Sequence, residues 1–507
     1  MHRLLACLCL LVAACASGAT PVSDVAQAYP QAKEFFPGAT RFGALEGEPR
    51  AAPVYEGERL AGYVFLTDDA VRIPAYSGKP INSLVGVDAA GRITGVAIVE
   101  HNEPILAIGI SDARLKEFTD QYRGKSAFDE VVIGAPRPGA VAVDTISGAT
   151  MTVMIENATV MRAARKVAES RGLGQGGVFA NPEEPLWVAT WQQGRFRIAV
   201  LAFGLAVLTL ILVLQDWLAR KPKLLGVLRR GFLVYTIVFI GWYGLAQLSI
   251  VHVLTFVHAA LRDFRWENFL IDPMLFILWS FVAVTLLLWG RGVYCGWLCP
   301  FGAMQELIQQ AAQRLKLRQW EFPDVVHERL WAVKYVILLV LFGISLQSMG
   351  EAVRLAEVEP FKTAVTLRFG REWPFVLYAL GLLAVSAVNR KFYCKYVCPL
   401  GAALTIPGRF RIFDWWLRRR KECGKPCQLC AHECPVRCIR PTGEINANEC
   451  HYCLDCQVIY YSDRKCMPLV ERRVRRERAL QARAAIRLPE PRGGARNGEP
   501  VGPGPVG

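Results

Sequence analysis

The strongest chemical signal in this chain of 507 residues is the spacing of its 16 cysteines. Cys423-x3-Cys427-x2-Cys430-x3-Cys434-Pro435 is followed by Cys450-x2-Cys453-x2-Cys456, with Cys466 and Pro468 farther on. Spacing this close lets three thiolates wrap one 4Fe-4S cube while a proline turns the chain away. In chains that carry two such cubes, the fourth cysteine of one run serves the other cube. That logic assigns Cys423, Cys427, Cys430 and Cys466 to one cluster and Cys450, Cys453, Cys456 and Cys434 to the other. The first run has one extra residue, and a long gap precedes Cys466. Cys438 reads as spare, or as a replacement for Cys423 or Cys434. Two structural zinc sites are the alternative; eight cysteines in two sets of four favour iron–sulfur.

A second signal is an internal repeat. Arg291-Gly-Val-Tyr-Cys-Gly-Trp-Leu-Cys-Pro-Phe-Gly-Ala303 echoes Arg390-Lys-Phe-Tyr-Cys-Lys-Tyr-Val-Cys-Pro-Leu-Gly-Ala402. Cysteines at i and i+4 share one helix face. If the two copies meet, Cys295, Cys299, Cys394 and Cys398 make a four-thiolate site able to hold a further metal centre or act as a dithiol relay. Free cysteines beside a membrane are the plainer alternative. A third signal is Asp144-Thr-Ile-Ser-Gly-Ala-Thr150, a Ser/Thr/Gly turn before a helix, which can cradle a phosphate on backbone N–H groups. By chemistry alone an ordinary helix cap fits it equally.

These residues need elements to hold them. The composition is 53% hydrophobic with a formal net charge of +15, which excludes intrinsic disorder. Residues 17–190 carry net −5 and residues 191–507 net +19. No cysteine occurs from 16 to 294, and thirteen follow. Residues 1–16 read as an export signal, with Arg3, the apolar stretch 4–14 and an A-x-A site at Ala14-Cys15-Ala16. Residues 25–175 read as an exported α+β domain, with strands at Tyr63-Val-Phe-Leu-Thr67 and 93–100 and a helix over 155–170. Residues 176–197 read as a linker.

Five apolar spans near 198–215, 232–251, 273–290, 331–347 and 374–388 predict a five-helix transmembrane bundle within 198–402. Span 331–347 contains Lys334. Loop 216–230, with Arg220, Lys221, Lys223, Arg229 and Arg230, is expected in the cytoplasm, and loops 252–272 and 348–373 outside. Each C-x3-C-P copy is expected at the cytoplasmic end of a span. Residues 403–468 form a cytoplasmic ferredoxin-like domain, and 469–507 a basic disordered tail. No DNA-reading motif accompanies the Arg-rich stretch 472–496, so a solvated tail is the simpler reading.

With these residues in view, Asp144 and Ser147-Gly148-Ala149-Thr150 resemble the attachment motif of FMN-binding domains. The resemblance implies FMN joined through its phosphate to Thr150, in a motif read by a flavin transferase. The wider arrangement resembles the NosR family of membrane flavo-iron–sulfur proteins. The likeness runs through Gly62-Tyr-Val-Phe-Leu-Thr67, Tyr76-Ser-Gly-Lys-Pro-Ile81, Glu100-His-Asn-Glu-Pro-Ile-Leu106, both C-x3-C-P copies and Asn448-Glu-Cys-His-Tyr-Cys-Leu-Asp-Cys-Gln457. It implies an inner-membrane protein with a periplasmic FMN domain and two cytoplasmic 4Fe-4S clusters. Its role would be to deliver electrons to periplasmic nitrous oxide reductase or its maturation factors. His101 and Glu103 are candidate flavin or partner contacts. His252 and His258 are candidates to touch quinol or haem, although structural roles fit both. Two other functions are compatible: a redox-sensing regulator of the nitrous oxide reductase genes, and a quinol dehydrogenase of the nitrate-reduction type drawing on the quinol pool. The family has a larger exported region than the roughly twenty residues between Arg171 and Trp191.

Overall fold

Residues 41–100 alternate β-branched or aromatic residues with polar ones, and they fold as a five-stranded antiparallel meander in sequence order. The strands are β1 (Arg41–Phe42), β2 (Ala52–Glu56), β3 (Arg59–Leu66), β4 (Asn82–Asp88) and β5 (Ile93–Glu100). The computed structural model describes residues 25–73, 75, 79–101, 103, 112–134, 140–144, 146, 150–173, 186–261, 264, 266–410, 412, 417–424 and 427–487. The expected export signal lies outside these residues.

One sheet face packs Val54, Val64 and Leu84 against Phe35 and Phe36. Gly86 and Gly95 pair across β4 and β5 beneath these rings; a Cβ on Gly95 would lie 2.1 Å from the Phe35 ring. The other face buries Phe65, Val85, Ile93 and Val96 against Val153, Val160, Ala164 and Val167. Those last four lie on α2 (Thr150–Ser170), which begins five residues before the expected helix. Between sheet and α2 run α1 (Asp112–Asp120) and a parallel pair, β6 (Val131–Ile133) and β7 (Val141–Val143).

Among the described residues of the apolar half, three helices are long enough and apolar enough to cross a membrane. They are α3 (Arg195–Val213), α4 (Pro222–Tyr235, continued by π turns over Thr236–Tyr243) and α8 (Asp324–Gln347). Three shorter apolar helices join them: α5 (Ile250–Leu261), α6 (Pro273–Leu288) and α9 (Trp373–Val388). The expected second span, 232–251, is therefore redrawn. The helix starts ten residues earlier and stops at Tyr243, Leu245 has φ 52, and a new helix begins at Ile250. The expected loop 216–230 is helical from Pro222.

Two composition-based expectations are also corrected. Residues assigned to the linker 176–197 include a helix over Leu186–Gln193 and the start of α3. The tail expected to be disordered opens with α12 (Met467–Arg487). Its Arg, Glu, Ala, Leu and Gln residues are strong helix formers. Arg473 and Glu477 pair at 3.6 Å one turn apart, and Arg472 reaches Glu422 at 3.1 Å.

Candidate redox centres

The repeated Cys-Pro-x-Gly sequence has a direct structural reading. Cys299 caps α7 (Pro300–Arg314), and Cys398 caps the short helix α10 (Pro399–Ala403). Each cap is followed by proline at the first helical position, where its missing N–H costs nothing. Each sulfur accepts an N–H from the glycine three residues on, Gly302 at 3.4 Å and Gly401 at 3.2 Å. A sulfur at a helix N-terminus is favoured as thiolate.

Cys295 lies on the π turn Tyr294–Leu298 and Cys394 on the helix Phe392–Tyr396. All four thiols lie within electrostatic reach of one another. Gln305 donates to Cys394 at 3.0 Å, and Gln247 faces Cys299 at 3.8 Å. Burial pushes Cys299 up to about 12 and Cys394 up to about 11. Four such thiols become thiolates only with positive charge beside them, so this donor set suits a cationic metal centre.

The quartet also has neighbours from outside the two repeat copies. Glu359 and Phe361, from a loop expected outside, reach it. Glu359 accepts N–H groups from Leu400 at 3.3 Å and Ile250 at 2.9 Å, and Phe361 packs on Phe301 and Tyr393. Hydropathy treats each span as running end to end, whereas segments 244–249 and 356–366 hold no α-helix and are buried or half-buried.

The cysteine-rich segment sits directly against the first copy. A Cβ on Gly296 would lie 1.8 Å from the His451 carbonyl, and one on Gly292 would lie 2.7 Å from the Cys450 carbonyl. Only glycine allows this approach. Trp297 Nε1 donates to the Tyr452 carbonyl at 3.0 Å. Glu449, one residue before Cys450, is buried and accepts from Arg291 at 3.1 Å, from Tyr335 at 3.1 Å and from Lys334. Arg291 also donates to the Gly401 carbonyl at 2.7 Å, tying both repeat copies to the cysteine-rich segment. Nearby, Arg229 grips Glu306 bidentately at 2.6 and 2.8 Å, and Lys391 reaches the same carboxylate at 2.8 Å. Burial alone would raise Glu306, but the two cations overcome it and hold the carboxyl down at about 2.

Within that segment, Cys430 lies within electrostatic reach of Cys423 and Cys427. Cys456 lies within the same reach of Cys450, Cys434 and Cys430, and Cys453 within that of Cys434 and Cys456. Cys438 is not remote: its sulfur is 3.6 Å from Cys434 and bonds toward Cys450. Cys466 is buried just before α12. Tyr452 N–H and Gln457 Nε2 donate to Cys450 and Cys456 sulfurs at 3.4 and 3.5 Å, the kind of donor that tunes iron–sulfur ligands. Among the described residues no three His, Cys, Asp or Glu side chains close on a single metal ion.

In the α+β domain, Thr150 opens α2, and a 21-residue helix offers its N-terminal N–H groups to a phosphate. Ser147, Gly148 and Ala149 lie outside the described residues. Asp144 is exposed, and its N–H donates to Gln121 at 2.7 Å. Glu103 is fully buried and accepts from Thr152 Oγ1 at 3.0 Å, so it anchors the first turn of that helix. His101 is half-buried. Farther along α2, Glu156 accepts from Ser83 at 2.5 Å, and burial raises it to about 7.

A flavin-suited domain, a bundle of apolar helices and two cysteine-rich sites define a flavin/iron–sulfur electron-transfer protein. The comparisons agree. An FMN-binding domain matches residues 76–165, and a 4Fe-4S binding domain matches twice, over 271–318 and 372–422. The NosR domain matches 421–477. Regulatory protein NosR of Stutzerimonas stutzeri is 36% identical over 94% of this chain and 96% of its own length. The Pseudomonas aeruginosa protein of the same name is 37% identical over 89% and 93%. Protein NirI of Paracoccus denitrificans is 49% identical over 63% of this chain and 46% of its own. The chain belongs to the NosR family. The Stutzerimonas alignment runs over 696 positions, so that relative carries inserted sequence that this chain lacks.

Sequence reasoning missed Glu449, Arg291, Glu306, Lys391, Glu359, Gln247 and Gln305. Lys334 carried a signal, since a charge inside an apolar span marks a functional or paired site.

Proposed function

We propose that this protein is a membrane-bound electron carrier serving periplasmic nitrous oxide reductase, in its activity or its maturation. In this reading a flavin transferase attaches FMN to Thr150, with Asp144, Ser147, Gly148 and Ala149 as the rest of the attachment motif. Cys423, Cys427, Cys430 and Cys466 hold one 4Fe-4S cluster, and Cys434, Cys450, Cys453 and Cys456 the other. Cys295, Cys299, Cys394 and Cys398 hold a further centre. Bound, these groups supply one-electron relays and a one- or two-electron flavin. The chain's own residues set their places. Glu103 fixes the first turn of α2, and Glu449 clamps the cysteine-rich segment onto Arg291 and Lys334. Gly292 and Gly296 keep that interface thin, while Gln247, Gln305, Gly302 and Gly401 donate to thiol sulfurs.

The single observation that carries this reading is the glycine-lined contact between segment 450–452 and the first C-x3-C-P copy, since electron tunnelling falls steeply with distance. The charge partition supports an exported FMN domain and a cytoplasmic cysteine-rich domain in this reading. The name of the Stutzerimonas and Pseudomonas relatives favours a second reading, a redox-sensing regulator. One experiment separates them. In a strain lacking this gene, nitrous oxide reductase is expressed from an unrelated promoter. Continued failure to reduce nitrous oxide supports electron supply or maturation; restored reduction overturns it in favour of regulation.

A further inference from the structure

Cys438 is left over when the cysteine-rich segment is divided into two sets of four, yet at 3% exposure it is the most deeply buried cysteine among the described residues. The local chain explains why it sits where it does. Cys434-Pro435-Val436-Arg437 closes a turn in which the Arg437 N–H donates to the Cys434 carbonyl at 3.1 Å. Arg437 has φ 49, in the left-handed region that a residue with a Cβ adopts only when its surroundings hold it there. Its guanidinium supplies that hold, donating to the Phe322 carbonyl at 2.7 Å and pairing with Asp324. The chain then folds back, and the Cys438 sulfur stands 3.6 Å from the Cys434 sulfur. On the far side the Cys438 carbonyl accepts the Asn446 N–H at 2.7 Å, and Ile439 bridges Ile445. Backbone contacts on both sides thus fix the residue independently of its thiol.

Contact between two sulfurs limits what each can do. Ligand sulfurs of one cube bind different irons and are kept apart by the cube itself, so Cys434 and Cys438 compete for one corner. The surroundings favour Cys434. Backbone N–H groups of Val436 and Cys438 point at its sulfur, an arrangement that stabilises a thiolate. Cys434 also lies within reach of both Cys453 and Cys456, whereas Cys438 faces Cys434 and Cys450. A ligand thiolate carries no proton, so in the Cys434–Cys438 pair Cys438 holds the proton and donates it. Buried as it is, this S–H has no water as an alternative partner.

We propose that Cys438 is not a ligand but a resident S–H donor to Cys434, acting through that sulfur to raise the reduction potential of the cluster held by Cys434, Cys450, Cys453 and Cys456. A donor draws charge from a ligand sulfur and so favours the more negative, reduced cluster. The cluster affected is the one whose segment adjoins the first C-x3-C-P copy, through the Cys450 carbonyl against Gly292. Cys423, Cys427 and Cys430 of the other set are only half-buried. The fifth thiol therefore sets the step in potential between this cluster and its neighbours. The assignment rests on the ligand sets of the electron-carrier reading.

The test uses the full-length protein in detergent, with iron counted per chain and cluster potentials read by electron paramagnetic resonance during a mediated redox titration. Cys438→Ala should keep wild-type iron while one iron–sulfur potential falls. For the loss of one hydrogen bond, that cluster should be about fivefold less reduced at a given ambient potential, a fall of roughly 40 mV for one electron. Cys438→Ser keeps an O–H donor and should hold the potential closer to that of the wild type. In deuterium oxide, pulsed resonance of the reduced wild type should show one exchangeable-hydrogen coupling more than Cys438→Ala. Cys434→Ala should lose one cluster's iron. Iron lost from Cys438→Ala, or full iron kept in Cys434→Ala, would make Cys438 a ligand and overturn the proposal. So would full iron with an unchanged potential, or equal shifts in the alanine and serine variants. Wild-type protein that holds zinc in place of iron would reject the electron-carrier reading and the proposal with it, whereas full iron with an unmoved potential rejects the proposal alone.

Discussion

Gly296→Ala tests the contact on which the functional reading depends. The added Cβ would stand 1.8 Å from the His451 carbonyl oxygen, where real contacts keep at least 3.0 Å. The neighbour is backbone, so no side chain can swing aside, and the two segments must part by more than 1 Å. Overpacking of this kind costs roughly 1–3 kcal/mol. The Trp297–Tyr452 hydrogen bond, 3.0 Å long, stretches as the segments part, at a further ~1 kcal/mol. The protein should survive this, because Glu449 still anchors the segment through Arg291 and Lys334. The distance between the proposed metal centres on either side should grow. Magnetic dipolar coupling falls with the cube of distance, so electron paramagnetic resonance of the fully reduced full-length protein should show weaker splitting at unchanged iron content. Thermal unfolding in detergent should begin earlier. Gly343→Ala, on α8 with open space around it, is the control and should be neutral or slightly stabilising. Unchanged splitting and unchanged unfolding in Gly296→Ala would refute the argument that glycine sets this approach.

Thr150→Val should abolish covalent flavin while leaving α2 folded; flavin fluorescence persisting on the denatured full-length band would disprove that anchor. Glu156, raised to about 7 by burial from an ordinary 4.5, opposes folding once it ionises. Stability of the α+β domain should be full below about pH 4.5 and fall as pH rises to about 7, by about 3 kcal/mol. Glu156→Gln should flatten that slope in denaturant titrations across this range; an unchanged slope would show that another group sets it. Glu306→Gln should leave Arg229 and Lys391 buried without their carboxylate and destabilise by roughly 3–5 kcal/mol, measured as loss of the folded protein on heating. In the wild type, the stabilisation from ionised Glu306 should be complete above about pH 4.5 and lost as pH falls toward 2.

What was legible in the sequence was local. Ligand thiols crowd into short stretches because a cube must be wrapped by nearby residues, so the cysteine sets are visible as spacing. The α+β domain was legible because strand alternation and a long helical run are local patterns. The helix over 467–487 was misread because a dense run of arginine resembles a solvated tail. After Pro468 in its first turn it contains no Gly or Pro before residue 489, and that was the better guide. The end of the second span was misread because average hydropathy continues smoothly through 244–249, while the backbone turns at Leu245. The partners of the redox residues were illegible for a different reason. Arg291 and Glu449 are 158 residues apart, and Ser249 and Glu359 are 110 apart. No window of sequence contains either pair.

The basic half of the chain therefore carries two kinds of positive charge, which a net count cannot separate. Arg220, Lys221, Lys223 and Arg230 are exposed beside the apolar helices, and they are the charges that bear on membrane orientation. Arg229, Arg291, Lys334 and Lys391 are buried around the thiols. Burial opposes ionisation of Cys295 and Cys394, whereas Arg291 and Lys391 favour it at both, and Lys334 adds to this at Cys295. Thiolates gathered around a metal centre bring net negative charge into a low-dielectric interior, which is costly unless cations lie close by. Four of the positive charges that look like a cytoplasmic signature in the sequence thus sit where the electrostatics of a buried thiolate site require them. Glu306 and Glu449 then balance those cations and bind them into one network with both C-x3-C-P copies and the cysteine-rich segment.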